Sequence, residues 1–164
     1  MLPRSAVRRR TWLCAGLLGL FAAAAPAKSK DPVKVEVRLS VRPSGREVLA
    51  TLVFANRSNA PQYVDKRMGC LDGRMRTRVF DVRTGGREMH YLGVMGKLAA
   101  PGPNDYLTLS PGEEVETQVH LEDAFELLPG KHTYRIRYDA FHGRPDSDAL
   151  DHRVSNEARV TIVR

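Results

Sequence analysis

The protein is a chain of 164 residues with a formal net charge of +7. Four arginines and no acidic residue lie within residues 1–27, so the rest of the chain carries 22 basic and 19 acidic residues, a net charge of +3. This small excess, with both signs interleaved, argues against nucleic-acid binding, because nucleic-acid binders concentrate a basic stripe on one surface.

Residues 1–27 have the organisation of a secretory signal peptide. A basic start precedes the apolar residues 12–25, and Ala25-Pro26-Ala27 has the small-x-small form of a cleavage site. The apolar stretch is shorter than the roughly 20 residues that span a bilayer, which disfavours an uncleaved anchor. Arg9-Arg10 is compatible with twin-arginine export. The sequence therefore predicts a bacterial periplasmic or secreted protein, with residues 28–164 as a single mature domain.

Cys70 is the only cysteine after the predicted leader, so the mature domain has no partner for an internal disulfide. An unpaired cysteine in an exported protein is either a buried thiol or half of an intermolecular bridge. We favour the buried thiol, because free cysteine behaves as a small apolar residue.

Alternation of apolar and polar residues predicts short strands along the first half of the mature domain. The clearest covers residues 33–41, and residues 48–54 follow as its partner after the turn Pro43-Ser44-Gly45. Further strands are predicted at residues 63–64, 76–82 and 88–94, with irregular segments at residues 65–74 and 98–104.

The second half contains two Pro-Gly turns, and each introduces another alternating run. Val115 and Val119 lie on one face of the first run, and Tyr134 and Tyr138 lie on one face of the second. We also predict one helical turn within residues 122–128, a polar loop at residues 142–155, and a last strand carrying Ala158, Val160 and Ile162.

Seven to nine short strands without a long amphipathic segment predict an all-β fold, an immunoglobulin-like antiparallel β-sandwich. Gly130 precedes Tyr134 by four residues. This spacing is typical of the corner in which a tyrosine hydroxyl ties a loop to a strand.

Residues 48–138 carry motifs that resemble a known family. The most specific portion is residues 97–106, whereas Leu-x-Pro-Gly-Glu and Pro-Gly-x-x-Tyr occur in many bacterial immunoglobulin-like domains. The chain resembles the non-catalytic N-terminal β-sandwich domain of bacterial lysine-specific, deuterolysin-like metalloendopeptidases. The matching positions are Asn56, Ser58, Pro61, Leu71, Gly73, Phe80, Val82, Gly86, Tyr91, Gly93, Lys97, Pro101, Asp105, Tyr106, Leu109, Pro111, Gly112, Glu113, Leu121, Asp123, Leu127, Gly130, Tyr134 and Tyr138.

The resemblance implies a β-sandwich fold and an association with proteases, but it assigns no catalytic residue. The zinc domain of such proteases carries H-E-x-x-H, and the five histidines of this chain never occur in that spacing. Ser110 lacks a G-x-S-x-G elbow, and no histidine stands near Cys70 in sequence. We therefore expect a protein without enzymatic activity.

Soft ligands for a metal are concentrated in one interval. Methionine, cysteine and imidazole groups are what Cu(I) prefers, although methionine is also a common filler of hydrophobic cores. The spacing matches no ligand signature, so we expect no cofactor and keep a copper-binding protein as the alternative. The candidate ligands are Met68, Cys70, Met75, Met89, His90 and Met95.

A second polar group lies in the predicted loop at residues 142–155. Oxygen ligands at alternate positions are suited to calcium, but the loop lacks the glycine and the distal glutamate of a calcium loop. We interpret it as a solvated loop. Its members are His142, Asp146, Asp148, Asp151 and His152.

The remaining candidates are exposed loop side chains that could contact a protein partner. Rigid sandwiches usually bind partners through their loops. The candidates are Tyr63, Met68, Leu98 and Tyr106, and the alternative is that they pack beneath their own loops. We hypothesise an exported protein-binding module whose partner, by resemblance, is a peptidase. Besides copper binding, a structural role in an envelope assembly through an exposed strand edge remains open.

Overall fold

The computed structural model describes residues 34–45 and 47–164, so the predicted leader and Val33 lie outside the described residues. This part of the chain is all-β, and no helix in it has the length and apolar character needed to cross a membrane. Its short 3₁₀ helices are Pro103–Asp105 and Leu121–Asp123. Its strands are β1 (Val35–Ser44), β2 (Glu47–Asn56), β3 (Gln62–Asp65), β4 (Phe80–Thr84), β5 (Arg87–Glu88), β6 (Tyr106–Leu109), β7 (Glu114–His120), β8 (Lys131–Arg144), β9 (Ser147–Val154) and β10 (Ala158–Val163).

The first sheet contains β1, β2 and β7, all antiparallel, with β2 in the centre. Its inward face follows from the period-two alternation of β1. Val35, Val37 and Leu39 are buried, whereas Arg38 and Ser40, which alternate with them, are exposed. The predicted strands in this region are confirmed, because a two-residue period is a local property of an extended chain.

The second sheet is built on β8, which is flanked by β4 and β10. The two sheets face each other across aromatic rings. Phe54 of β2 meets Tyr138 of β8 edge to face, with ring centroids 5.6 Å apart, and Phe80 of β4 contacts the same tyrosine at 5.7 Å. Each of these rings is at most 1% exposed, and burial of one such side chain contributes about 1.5–3 kcal/mol.

Two smaller features complete the sandwich. β3 and β6 form a separate two-stranded antiparallel ribbon. Asn156, between β9 and β10, donates to the Leu39 carbonyl (2.9 Å) and accepts from the Leu39 N–H (2.8 Å). A side-chain amide thus satisfies the backbone of β1 at its edge and joins the two sheets there.

The predicted tyrosine corner is present. The Leu128 N–H donates to the Tyr134 hydroxyl at 2.8 Å, and Gly130 between them has φ +93°. Glycine suits this left-handed conformation because it has no Cβ. The antiparallel β-sandwich is thereby supported, whereas the immunoglobulin-like strand order stays a prediction.

Three local predictions were wrong. The strand expected at residues 76–82 begins only at Phe80, and the strand expected at residues 88–94 ends at Glu88. The loop expected at residues 142–155 is instead largely the hairpin of β8 and β9. Polar His142 and Arg153 point inward there, at 0% and 5% exposure, so the apolar alternation that reveals a strand is missing.

Candidate partner-binding loops

Two irregular segments carry most of the side chains that sequence analysis selects. The first loop, residues 65–74, follows β3, and the second loop, residues 89–105, follows β5. Asp65 organises the first loop, and its side chain is only 3% exposed. Its carboxylate accepts hydrogen bonds from the Arg67 N–H (2.9 Å), from Arg67 Nε (3.2 Å) and from Arg67 Nη2 (3.0 Å). A buried carboxylate of this kind stabilises the loop conformation that supplies its donors. Any other conformation would leave the buried charge without hydrogen bonds.

The first loop is also tied to the end of the second. The Lys66 N–H donates to the Asp105 carbonyl (2.8 Å), and Lys66 Nζ donates to the Asn104 carbonyl (2.8 Å). Arg67 Nη1 donates to the Ala99 carbonyl at 2.8 Å. These bonds fix residues 99–105 without any strand between them.

Cys70 lies at the inner end of the first loop and is fully buried. Its φ of +54° is unusual for a residue with a side chain, and its carbonyl accepts a 2.6 Å hydrogen bond from the Thr117 hydroxyl of β7. Burial raises the pKa of the Cys70 thiol to about 12. The buried alternative is therefore the one found, and a thiol with this pKa is a poor nucleophile at neutral pH.

A buried polar network lies beneath the first loop. The Tyr138 hydroxyl donates to the Met68 carbonyl (3.0 Å) and lies 2.6 Å from His142 Nε2. Arg153 Nη1 lies 3.4 Å from His142 Nδ1, and Arg153 Nη2 donates to the Tyr63 carbonyl at 2.5 Å. A neutral His142 that donates from Nε2 and accepts at Nδ1 satisfies every member. Burial and then the Arg153 charge hold the pKa of His142 well below its usual value.

A groove of about 550 Å³ lies beside the first loop. Its apolar lining is Leu71, Leu107 and Val115. Two of the charged groups along it pair with each other, Arg76 with Asp72 at 2.5 Å. The groove therefore presents an apolar floor flanked by charged side chains of both signs, and its lining favours no ligand class.

The second loop is anchored at its start by the segment that follows β7. The Leu92 N–H donates to the Ala124 carbonyl (2.8 Å), and the Glu126 N–H donates to the His90 carbonyl (3.0 Å). Between these bonds the ring of Tyr91 meets Phe125 edge to face, with centroids 5.3 Å apart. The base of the loop is thus held by backbone bonds and by one aromatic pair.

Immediately after this base, the second loop exposes three apolar side chains. Leu92 is 59% exposed, Val94 is 65% exposed and Met95 is 81% exposed. The Tyr91 ring folds over Gly93, where a Cβ would lie 2.6 Å from ring atoms. A glycine at this position allows the ring to pack down while its neighbours project outward. We call Leu92, Val94 and Met95 the apolar tip.

The four predicted partner-contact residues do not form one exposed surface in the structure. Tyr63 and Tyr106 are half-buried, and the β3–β6 register puts them on the same face of that ribbon. Leu98 is half-buried, and Met68 packs against the hydrophobic core. The apolar tip was missed, although the run Leu92-Gly93-Val94-Met95-Gly96 breaks the alternation and places apolar residues between glycines.

The six candidate soft-metal ligands also separate. Met89, His90 and Met95 line one cavity of about 400 Å³ beside the second loop. Cys70 is part of the hydrophobic core, against which Met68 and Met75 pack. Three of the six candidates therefore share a cavity, and four contribute to packing, because Met89 does both.

The polar group at residues 142–155 is divided by the strand alternation. His142 points into the core, whereas His152 on the facing strand points outward and stacks on Phe141 with ring centroids 4.4 Å apart. Successive residues of a strand face opposite sides of a sheet. His142 and His152 therefore belong to different surfaces of the hairpin.

No protein-family model matches this chain, and the search of curated proteins finds no match either. The resemblance to the N-terminal domain of deuterolysin-like metalloendopeptidases thus stays a prediction.

Proposed function

We propose that the protein is an exported, non-enzymatic module that binds a protein partner through the apolar tip of the second loop. The exposure of Leu92, Val94 and Met95 within four successive residues carries this proposal. Contiguous exposed apolar side chains mark interaction sites, and methionine is enriched at protein interfaces.

The anchoring of the second loop supports binding rather than mere exposure. A loop that is already held at its base loses less conformational freedom on association than a free loop does. The Tyr91–Phe125 pair and the two backbone bonds provide this preorganisation. The complementary partner surface is an apolar pocket that accepts side chains the size of valine and methionine.

We infer from the predicted resemblance that the partner is a peptidase, which the module accompanies or restrains. The experiment is capture from the medium and envelope extracts of the native organism, followed by peptidase assays on the recovered proteins. We expect a peptidase to be recovered and its activity to change when the purified module is added.

A matched pair of variants tests the surface itself. Val94→Ser/Met95→Ser removes two side chains that are 65% and 81% exposed, and Leu150→Ser/Val163→Ser removes two that are 65% and 70% exposed elsewhere. Only the first variant should lose the partner. Equal capture by both variants contradicts the proposed surface, and recovery of partners without peptidase activity contradicts the proposed partner class.

Copper binding is a second candidate, because Met89, His90 and Met95 line one cavity. Soft thioether ligands with an imidazole suit Cu(I). We expect His90→Gln to abolish any uptake of copper under reducing conditions. Absence of uptake by the unaltered protein contradicts this candidate and leaves the first proposal untouched.

A further inference from the structure

Three side chains of metal-binding type converge at one end of the first sheet. They are Glu47 at the start of β2, His120 at the end of β7, and Glu122 in the 3₁₀ helix Leu121–Asp123. One potential ligand atom from each lies within 4.8 Å of the other two. Glu47 is far from the other two along the chain, so the cluster cannot be recognised from spacing in the sequence.

Strand register produces this convergence. Leu49 of β2 is opposite His120 of β7. Continuing the antiparallel register by two residues on each side brings Glu47 across from Glu122. Because side chains two residues apart on a strand share a face, the three groups have a common side of the sheet end on which to meet.

One backbone contact orients the cluster. The Val48 N–H donates to Glu122 Oε2 at 2.8 Å, which leaves Glu122 Oε1 directed toward His120 Nδ1 at 3.3 Å. The Glu122 side chain is 16% exposed, so this carboxylate is held more firmly than the other two groups. Outer contacts of this kind commonly orient metal ligands and tune their affinity.

The two distances from His120 Nδ1 are close to those that a small tetrahedral ion needs. With zinc bonds of about 2.0–2.1 Å, neighbouring ligand atoms of a tetrahedron lie about 3.3 Å apart. His120 Nδ1 to Glu122 Oε1 has this separation, and His120 Nδ1 to Glu47 Oε2 is 3.8 Å. Glu47 is 59% exposed and is free to close the remaining half ångström.

We propose that Glu47, His120 and Glu122 together bind one Zn²⁺ ion. Two carboxylates balance its charge, the imidazole supplies the nitrogen ligand, and the fourth position faces solvent and takes water. The ion joins the start of β2 to the turn after β7. This site is independent of the proposed function, since it uses none of the residues of the second loop.

The test is titration of chelator-treated protein with ZnCl₂, followed by calorimetry and by amide chemical shifts. We expect one ion per chain, with shift changes concentrated at Val48, His120 and Glu122. Bound metal should also raise the thermal unfolding midpoint in proportion to the logarithm of free zinc.

Three variants decide whether these residues are the ligands. His120→Gln and Glu47→Gln should each weaken binding by roughly tenfold or more, since even outer contacts are worth 10–100-fold. Glu47 is largely exposed, so its variant retains the fold. His152→Gln is the control, because His152 is exposed and lies in the β8–β9 hairpin, outside both proposed metal sites. Absent uptake, equal affinity in the ligand variants, or loss only in the control overturns the site.

Discussion

The first and second loops differ in what holds them. The first turns inward around the buried Asp65 carboxylate and ends against the core at Cys70. The second is fixed by backbone bonds at its two ends, but no element within residues 34–45 and 47–164 covers its apolar tip. A buried acceptor with several donors gives a loop a defined interior. Apolar side chains without such an acceptor remain available to a partner.

The largest effect should follow removal of the acceptor. Asp65→Ala leaves Arg67 without its carboxylate partner, and we expect the free energy of unfolding to fall by about 3 kcal/mol in urea denaturation. Asp65→Asn keeps an oxygen for the Arg67 N–H and should cost less. A loss below about 1 kcal/mol for the alanine variant contradicts the role given to Asp65.

The second largest effect should come from acidification, which should destabilise the buried polar network beneath the first loop. The pKa of His142 is depressed in the folded protein, so below its ordinary value near 6.5 the unfolded chain binds a proton that the folded one does not. Stability present at pH 7 is therefore lost as the pH falls through about 6.5 toward 5.

His142→Gln tests this assignment. The variant should be less stable at pH 7 but should lack this part of the pH dependence, as measured by urea denaturation at both pH values. The groups that face His142 are Tyr138 and Arg153. Parallel stability profiles for the variant and the unaltered protein contradict the assignment.

A smaller loss of stability should occur at alkaline pH, because the Cys70 thiol is buried. The pKa of Cys70 is raised to about 12, so above pH 9 the unfolded chain releases a proton that the folded protein keeps. Stability should decline by about 1 kcal/mol between pH 8 and pH 10. Cys70→Ala should lack that decline, and the native thiol should resist alkylation at pH 8 until urea unfolds it. Rapid labelling of the native protein argues against burial.

The smallest effect is expected at the apolar tip. Val94→Ser/Met95→Ser should change the free energy of unfolding by no more than about 0.5 kcal/mol, because exposed side chains make few contacts. Urea denaturation beside Leu150→Ser/Val163→Ser provides the comparison. A loss above 2 kcal/mol would show that the tip is packed, and the contrast between the two loops would fail.

The strands that could be predicted are those whose signal is local. Val35, Val37 and Leu39 alternate with polar residues, and the Gly130–Tyr134 spacing indicates its corner. The β8–β9 hairpin was not recognised, because it buries two polar side chains: Arg153 bonds to the distant Tyr63 carbonyl, and His142 bonds to Tyr138 four residues away. A polar residue turned inward looks in sequence like a residue of a solvated loop.

The candidate sites depended still more on distant contacts. Met68 is a residue type that is common at protein interfaces, yet here it packs against the core. The exposure of Val94 depends on the absence of any covering element among the described residues. Glu47 meets His120 only because β2 and β7 pair in one particular register.

The sequence by itself determined an all-β chain with strands broken by Pro-Gly turns, because alternation and turn chemistry act between near neighbours. Tertiary structure alone decided which loop is filled and which is open. It also decided which polar groups are buried and which carboxylates share an imidazole. These outcomes depend on pairs of residues that the chain brings together only when its two sheets close over a common core.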